Sequence, residues 1–106
     1  MEHSVREEGG AVIASFQGDV DLEQSPKARE VLLDCVSRAQ KVLVDLSGVN
    51  YMDSSGVASL VEAFQRAKKS GVVFALVSVN AAARRVLELA RLDKVFTIHE
   101  TVGEGL

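Results

Sequence analysis

The sequence predicts a single α/β domain in which a mixed sheet of four to five strands packs against three to four helices. Three observations support this fold class. Short runs rich in Val, Ile and Leu alternate with longer stretches whose apolar residues recur every three or four positions. Two strand-like runs come first, with only a tight glycine turn between them. The later strands are separated by helix-length stretches, so we expect the first pair to be antiparallel and the later strands mostly parallel.

The bulk composition fits one globular domain. The chain has 106 residues, which is enough for one hydrophobic core and too few for two, so the predicted domain spans residues 1–106. Apolar residues make up 47% of the chain and charged residues 25%. No apolar run is long enough to cross a bilayer, and the first ten residues lack the pattern of a signal peptide. The sequence therefore predicts a cytoplasmic protein with no membrane insertion.

Charge and cysteine content argue against several classes of function. The net charge is −3, and the basic residues are scattered apart from the pairs at 68–69 and 84–85, whereas a phosphate-backbone site needs a denser stripe. Aromatic residues make up only 5% of the chain, which disfavours a stacking platform for single strands. The single cysteine, Cys35, excludes an internal disulfide and a multi-thiolate metal site, and we expect it to be a small buried hydrophobe. We therefore predict no direct nucleic-acid binding, no metal and no cofactor.

The first half of the chain predicts two strands and a helix. Residues 4–10 form a short edge strand that turns at its two glycines, and residues 11–18 form the second strand. Ser25 and Pro26 are typical of a helix start, with Ser25 as N-cap and Pro26 in the first helical position. One apolar stripe then predicts a helix of about four turns. The stripe consists of Ala28, Val31, Leu32, Cys35, Val36 and Ala39.

A central strand and a long helix follow. Residues 41–49 are dense in Val and Leu, which is typical of a strand that is buried on both faces. Residues 57–71 predict a helix that stops at Gly71. The apolar face of this helix is formed by Val57, Leu60, Val61, Phe64 and Ala67.

The last third of the chain completes the sheet. Residues 72–79 predict a buried strand, and residues 94–99 predict the strand that closes the sheet. The tail at 100–106 is either frayed or a last partial helical turn. Between the two strands lies a shorter helix whose inward residues are expected to be Ala83, Val86, Leu87 and Ala90.

The tetrapeptide "DSSG", Asp53-Ser54-Ser55-Gly56, lies between the central strand and the long helix. The first amide groups of a helix have no partner inside it, and a side-chain oxygen from Asp53, Ser54 or Ser55 can accept from them. The simplest interpretation is therefore an N-cap worth about 1 kcal/mol, with Gly56 permitting a close turn.

The loop contains more polar groups than one cap requires. A helix N-terminus also favours a phosphate, so a phosphoserine at Ser54 would add a charge of about −1.5 to −2 without unfolding the helix. Its effect would fall on whatever protein docks there. Asp53 would increase the local negative charge. Asp19 and Asp21, in the loop that follows the second strand, would join the same patch if both loops lie at one end of the sheet.

The segment "VDLSGVNYMDSSGVASLV", preceded by "GDVD" and followed by "LELARLDKVFTIH", resembles the STAS domain of bacterial anti-sigma factor antagonists. The similarity extends from "AVIASFQGDVDL" to "KVFTIH" and includes the predicted order of strands and helices. Its most specific element is the D-S-[ST]-G turn after a "DLS" strand. The resemblance implies a STAS fold and a regulatory protein rather than an enzyme.

The resemblance also implies roles for individual residues. In this family the first hydroxyl residue after the Asp is phosphorylated, and that position is Ser54 here. Asp21 matches a family acid near the phosphorylation site, and Val57 stands where the family often has Leu. The predicted surroundings of the phosphorylation site and of the partner-binding surface are Asp19, Asp21, Asp53, Ser55, Gly56 and Val57.

The implied mechanism is partner switching. The unphosphorylated domain would bind an anti-sigma factor that is also a serine kinase, a GHKL-type ATPase, and so release a sigma factor. Phosphorylation of Ser54 would prevent that binding, and a serine phosphatase would restore it.

Four other functions are alternatives to this hypothesis. A small cytoplasmic STAS subunit of an ABC-type lipid transport system would dock the same surface on the transporter's ATPase. A nucleophilic enzyme would need a base, and the only histidines are His3 and His99, neither with a predictable route to the loop. A magnesium-dependent receiver domain alternates strand and helix from its start, unlike this chain. A dimerising scaffold would use the loop as an ordinary cap.

Overall fold

The structure, a computed structural model, describes all 106 residues and contains five strands and four helices. In chain order these are β1 (Glu2–Glu8), β2 (Ala11–Val20), α1 (Ser25–Arg38), β3 (Lys41–Met52), α2 (Ser54–Ser70), β4 (Val73–Val77), α3 (Ala81–Leu89), β5 (Thr97–His99) and α4 (Val102–Gly105). None of the helices combines the length and apolarity that a bilayer crossing needs.

The five strands form one mixed sheet in the order β1-β2-β3-β4-β5. β1 and β2 are antiparallel, whereas every later pair of neighbours is parallel. Gly9 and Gly10 connect the first pair with φ angles of +57° and +83°, a backbone conformation that glycine adopts without steric cost. The predicted fold class and the predicted mixed sheet are therefore confirmed.

The sheet has one face covered by helices and a smaller apolar cluster on the other face. α1, α2 and α3 supply the first face, and 23 buried residues form the core between them and the sheet. Five further buried residues pack on the opposite face, where Val102 of α4 contacts them. Successive residues Val42, Leu43 and Val44 of β3 are all fully buried. The prediction of a central strand buried on both faces is confirmed.

The start of α1 differs from the sequence prediction. Gln24 occupies the N-cap position and its side chain makes no capping hydrogen bond, while Ser25 is already helical and Pro26 follows it in the first turn. The carbonyl oxygen of Asp21 accepts from the amides of Gln24 (3.1 Å) and Ser25 (2.7 Å). Ser25 as the N-cap is therefore wrong, because the amides of Lys27 and Ala28, which a Ser25 cap would bind, donate to the carbonyl oxygen of Gln24 (3.0 and 3.2 Å).

Two strands, β3 and β5, differ in length from the sequence prediction. β3 continues to Met52 instead of ending at residue 49, because it stays paired with β2 through two register shifts. β5 begins only at Thr97, because residues 92–96 form a turn that brings Phe96 into the core, where its ring centroid lies 5.2 Å from that of Phe64.

The helices of the last third agree with the prediction in part. Ala83 and Leu87 are buried as expected, but Ala90 is exposed because α3 ends before it. The tail forms the partial helical turn that was one of the two expectations. Lys41 holds this turn, since its Nζ donates to the carbonyl oxygens of Gly105 (2.9 Å) and Leu106 (3.1 Å).

Candidate functional site

The loops after β2 and β3 lie at the same edge of the sheet. The two strands are parallel, and their last residues, Val20 and Met52, are paired. One hydrogen bond joins the loops directly, since the amide of Leu22 donates to Asp53 Oδ2 at 3.0 Å. The two loops therefore lie at the same end of the sheet, as predicted.

Asp53 accepts four hydrogen bonds at this edge of the sheet. It is the N-cap of α2, and its Oδ1 accepts from the amides of Ser55 (2.9 Å) and Gly56 (3.1 Å). The same Oδ1 accepts from the hydroxyl of Ser55 at 2.7 Å. This hydroxyl, and then the amides of Gly56, Ser55 and Leu22, lower the pKa of the Asp53 carboxyl below its ordinary value, against the opposing effect of desolvation. Asp53 therefore remains ionised at neutral pH.

The two serines of the loop are in different environments. Ser55 is half-buried, and its hydroxyl proton points at Asp53. Ser54 is the first residue of α2, its side chain is exposed, and its hydroxyl makes no hydrogen bond within the protein. The cap expected of Asp53, Ser54 or Ser55 is thus supplied by Asp53, and the Ser54 hydroxyl is left facing solvent.

Gly56 and Val57 fix α2 against the sheet. A Cβ atom on Gly56 would lie 2.5 Å from the carbonyl oxygen of Val20 and 2.9 Å from Met52 Cγ, so only glycine allows this approach. Val57 is 7% exposed and belongs to the main core. These two residues therefore hold the start of α2 close to the sheet, and both are buried, whereas Ser54 at the first position of α2 is exposed.

The acids of the β2–α1 segment have separate local environments. Asp21 is half-buried, and its Oδ1 accepts from the amide of Gln24 at 3.0 Å. Asp19 is exposed and lies within β2, opposite Tyr51, rather than in the following loop as predicted. The register shift after Gly18 keeps the strand paired beyond the predicted end. Asp21 and Asp53 thus lie at one edge of the sheet, whereas the side chain of Asp19 points to the face of the sheet opposite that of its buried neighbour Val20.

A shallow groove runs from this edge between α1 and α2. Its volume is about 270 Å³, and an ion pair between Arg29 and Glu62 bridges the two helices beside it. Ser59 lies at its base, with its hydroxyl 3.1 Å from the carbonyl oxygens of both Ser25 and Ser55. This hydroxyl joins the first turns of the two helices.

The sequence pattern did not single out Leu22 or Ser59. The contribution of Leu22 is a backbone amide, which no residue-type pattern reveals. Ser59 lies outside the predicted apolar stripe of this helix, so its burial results from the packing of α2 against α1 and has no signal in the sequence.

The two histidines lie away from Ser54. His3 is on the edge strand β1, with its ring centroid 6.5 Å from that of Phe16. His99 lies on β5 and lines a cleft under α4 with Lys41 and Glu104. Neither histidine forms the hydrogen bond with Ser54 that would activate a serine nucleophile.

Comparison with known proteins places this arrangement in a family. The STAS domain family model matches residues 2–105. The anti-sigma-F factor antagonist RsfB of Mycobacterium tuberculosis is 29% identical over 104 residues, which cover 97% of this chain and 84% of that protein. The anti-sigma-B factor antagonist of Bacillus subtilis is 24% identical, with 89% of this chain and 86% of that protein covered. A Thermotoga maritima relative is 36% identical over 66 residues, which span only 58% of its length.

Solved structures give the same result. The crystal structure of an anti-sigma factor antagonist from Mycobacterium paratuberculosis superposes with a TM-score of 0.89 at 25% identity, covering 98% of this chain and 89% of that one. Unphosphorylated SpoIIAA, an anti-sigma factor antagonist, superposes with a TM-score of 0.81 over 97% of this chain and 91% of its own; at 15% identity it shows the shared fold. These relatives support the interpretation as an anti-sigma factor antagonist over that of a transporter subunit. The chain belongs to the STAS domain family.

Proposed function

We propose that this protein is an anti-sigma factor antagonist that binds an anti-sigma factor while Ser54 is unmodified and is switched off by phosphorylation of Ser54. The named relatives support the first half of this proposal, because they are antagonists of anti-sigma factors. The second half is supported by the geometry of the loop.

The difference between the two loop serines carries the proposal. The Ser54 side chain is exposed and its hydroxyl has no partner in the protein, so a kinase can reach it without breaking a protein hydrogen bond. Phosphorylation of Ser55 would instead remove the hydroxyl that donates to Asp53 at 2.7 Å and set a dianion beside that carboxylate. Ser54 is therefore the better acceptor.

The cap also explains how a phosphate at Ser54 would act. Asp53 already occupies the amides of Ser55 and Gly56, and the amide of Val57 donates to the carbonyl oxygen of Asp53 at 3.1 Å. A phosphate on Ser54 would find these groups taken, so its charge would stay exposed beside an ionised carboxylate. Any partner that docks there would meet a more negative surface and a larger desolvation cost.

The energetic requirement on the switch is modest. Weakening the complex a hundredfold takes about 2.7 kcal/mol, which is within the range measured for close charge pairs in protein interfaces. The partner that best fits this scheme is an anti-sigma factor that is itself a GHKL-type serine kinase. A serine phosphatase would return the protein to its binding state.

The experiment compares Ser54→Ala with its neighbour Ser55→Ala as the matched control. Each protein is incubated with a GHKL-type anti-sigma kinase from the same organism and ATP, and the phosphate is located by mass spectrometry. We expect one phosphate on Ser54 in the wild type and in Ser55→Ala, and none in Ser54→Ala, which should stay bound to the kinase. Phosphate on Ser55, or no phosphate on the wild type, would contradict the proposal.

A further inference from the structure

The last part of β3 has a strand neighbour on one side only. β4 pairs with β3 from Lys41 to Asp45 and goes no further, whereas β2 continues alongside as far as Met52. The residues that lead into the Ser54 loop therefore extend past the end of β4. This segment is also the irregular part of the strand, since both register shifts against β2 fall within it.

Asn80 binds β3 in the part that extends past β4. Its Nδ2 donates to the carbonyl oxygen of Ser47 at 3.2 Å and also to that of Val49. Its Oδ1 accepts from the amide of Ala83 at 2.9 Å and so caps α3. A single side chain thus anchors the extension of β3 to the start of α3.

Asparagine is the N-cap residue that can make all three contacts. Asp accepts but has no proton to donate at neutral pH, and Ser or Thr has a single hydroxyl proton for two carbonyl oxygens. The cap of α3 needs only the acceptor. The two hydrogen bonds that Asn80 donates are therefore not needed to cap α3. They bind carbonyl oxygens of β3 instead.

We infer that Asn80 is a positioning residue for Ser54, a role that rests on the proposed function of that serine. Asn80 fixes Ser47 and Val49, and the chain reaches Asp53 four residues later. The position of Asp53 decides whether its carboxylate meets the amides of Leu22, Ser55 and Gly56. Loss of the anchor would loosen this cap and the presentation of the Ser54 hydroxyl, while the rest of the sheet stays paired.

Two substitutions separate this role from simple helix capping. Asn80→Asp and Asn80→Ser both keep an acceptor for the amide of Ala83, and both lose the paired donors to β3. Thr101→Ala is the control. Thr101 is the N-cap of α4, where its Oγ1 accepts from the amide of Glu104 at 3.1 Å, and it makes no hydrogen bond with β3 or the Ser54 loop. Amide hydrogen exchange is measured by NMR at a temperature where all the proteins are folded.

We expect the amides of Leu22, Ser55 and Gly56 to exchange about tenfold faster in both Asn80 variants, as loss of the donated hydrogen bonds predicts. The same amides should be unchanged in Thr101→Ala. Unchanged exchange at these amides in both Asn80 variants would overturn the inference. So would equal acceleration throughout β3 and β4, because it would indicate a purely structural role.

A second readout links the inference to function. The rate of Ser54 phosphorylation by the anti-sigma kinase should fall about tenfold in the Asn80 variants and stay at the wild-type value in Thr101→Ala. An unchanged rate in the Asn80 variants would contradict the positioning role. If the wild type itself is not phosphorylated, the proposed function fails, and the exchange measurement alone decides whether Asn80 positions the loop.

Discussion

Replacing Gly56 by alanine tests the packing that holds the start of α2 close to the sheet. Gly56 is the third residue of α2, and alanine has the higher helix propensity by about 1 kcal/mol. Propensity alone therefore predicts a more stable protein. The structure predicts the opposite, because the new methyl group would lie 2.5 Å from the carbonyl oxygen of Val20, roughly 1 Å inside van der Waals contact.

The cost of this overlap is at the upper end for a small-to-large substitution. The atom in the way belongs to the backbone and accepts from the amide of Asp53 at 3.4 Å, so it cannot move independently. Overpacking of this kind costs about 3 kcal/mol, and the gain in propensity offsets about 1 kcal/mol of it. We expect Gly56→Ala to lower the free energy of unfolding by about 2 kcal/mol and the Tm by roughly 10 °C.

Chemical and thermal unfolding followed by circular dichroism measure the effect. Gly103→Ala is the matched control, since a Cβ there would meet only Thr101 Oγ1, at 3.7 Å. This control should be neutral or slightly stabilising. If Gly56→Ala proves as stable as the wild type, the close approach between α2 and β2 is wrong. Steric exclusion of a side chain would then not explain why glycine follows the two serines.

Three further outcomes are expected. Ser55→Ala should lower the free energy of unfolding by about 1 kcal/mol because Asp53 loses a donor, whereas Ser54→Ala should change it by less than about 0.5 kcal/mol; urea titration of both variants checks this. Since the Asp53 carboxyl has a lowered pKa in the folded state, its ionised form stabilises the fold above about pH 4, and this contribution is lost as pH falls through the folded-state pKa. Asp53→Asn should therefore show a weaker loss of stability below about pH 4, and an unchanged acid transition would count against the cap. Burial raises the pKa of the Cys35 thiol, so a thiol reagent should label it only as fast as the protein opens, and rapid labelling of the native protein would contradict its burial.

The sequence was a good guide to the strands and helices because their hydrophobic periods are strong. The burial of Val42, Leu43 and Val44 follows from an apolar run too short for a helix face. Residue-type rules failed where a backbone carbonyl accepted the hydrogen bonds that a side chain was expected to accept. Ser25 has the residue type that is favoured at an N-cap, but the carbonyl oxygen of Gln24 accepts from the two amides that its side chain would have bound.

The site was predictable in its residue types and less so in its connections. The pattern of an acid and two hydroxyls before a helix identified Asp53, Ser54 and Ser55. The capping hydrogen bonds lie within residues 53–56, but the further amide that binds Asp53 comes from Leu22, 31 residues earlier in the chain, and depends on the pairing of β2 with β3. The second function of Asn80 was hidden for the same reason, since the end of β4 leaves the carbonyl groups of β3 for its amide to bind.

The switch itself is tested most directly by the affinity of the two phosphorylation states for one anti-sigma factor. The protein is phosphorylated stoichiometrically on Ser54, and its dissociation constant is compared with that of the unmodified protein by titration calorimetry at the same ionic strength. We expect binding at least about a hundredfold weaker in the phosphorylated state, corresponding to about 2.7 kcal/mol. Equal dissociation constants for the two states would contradict the account.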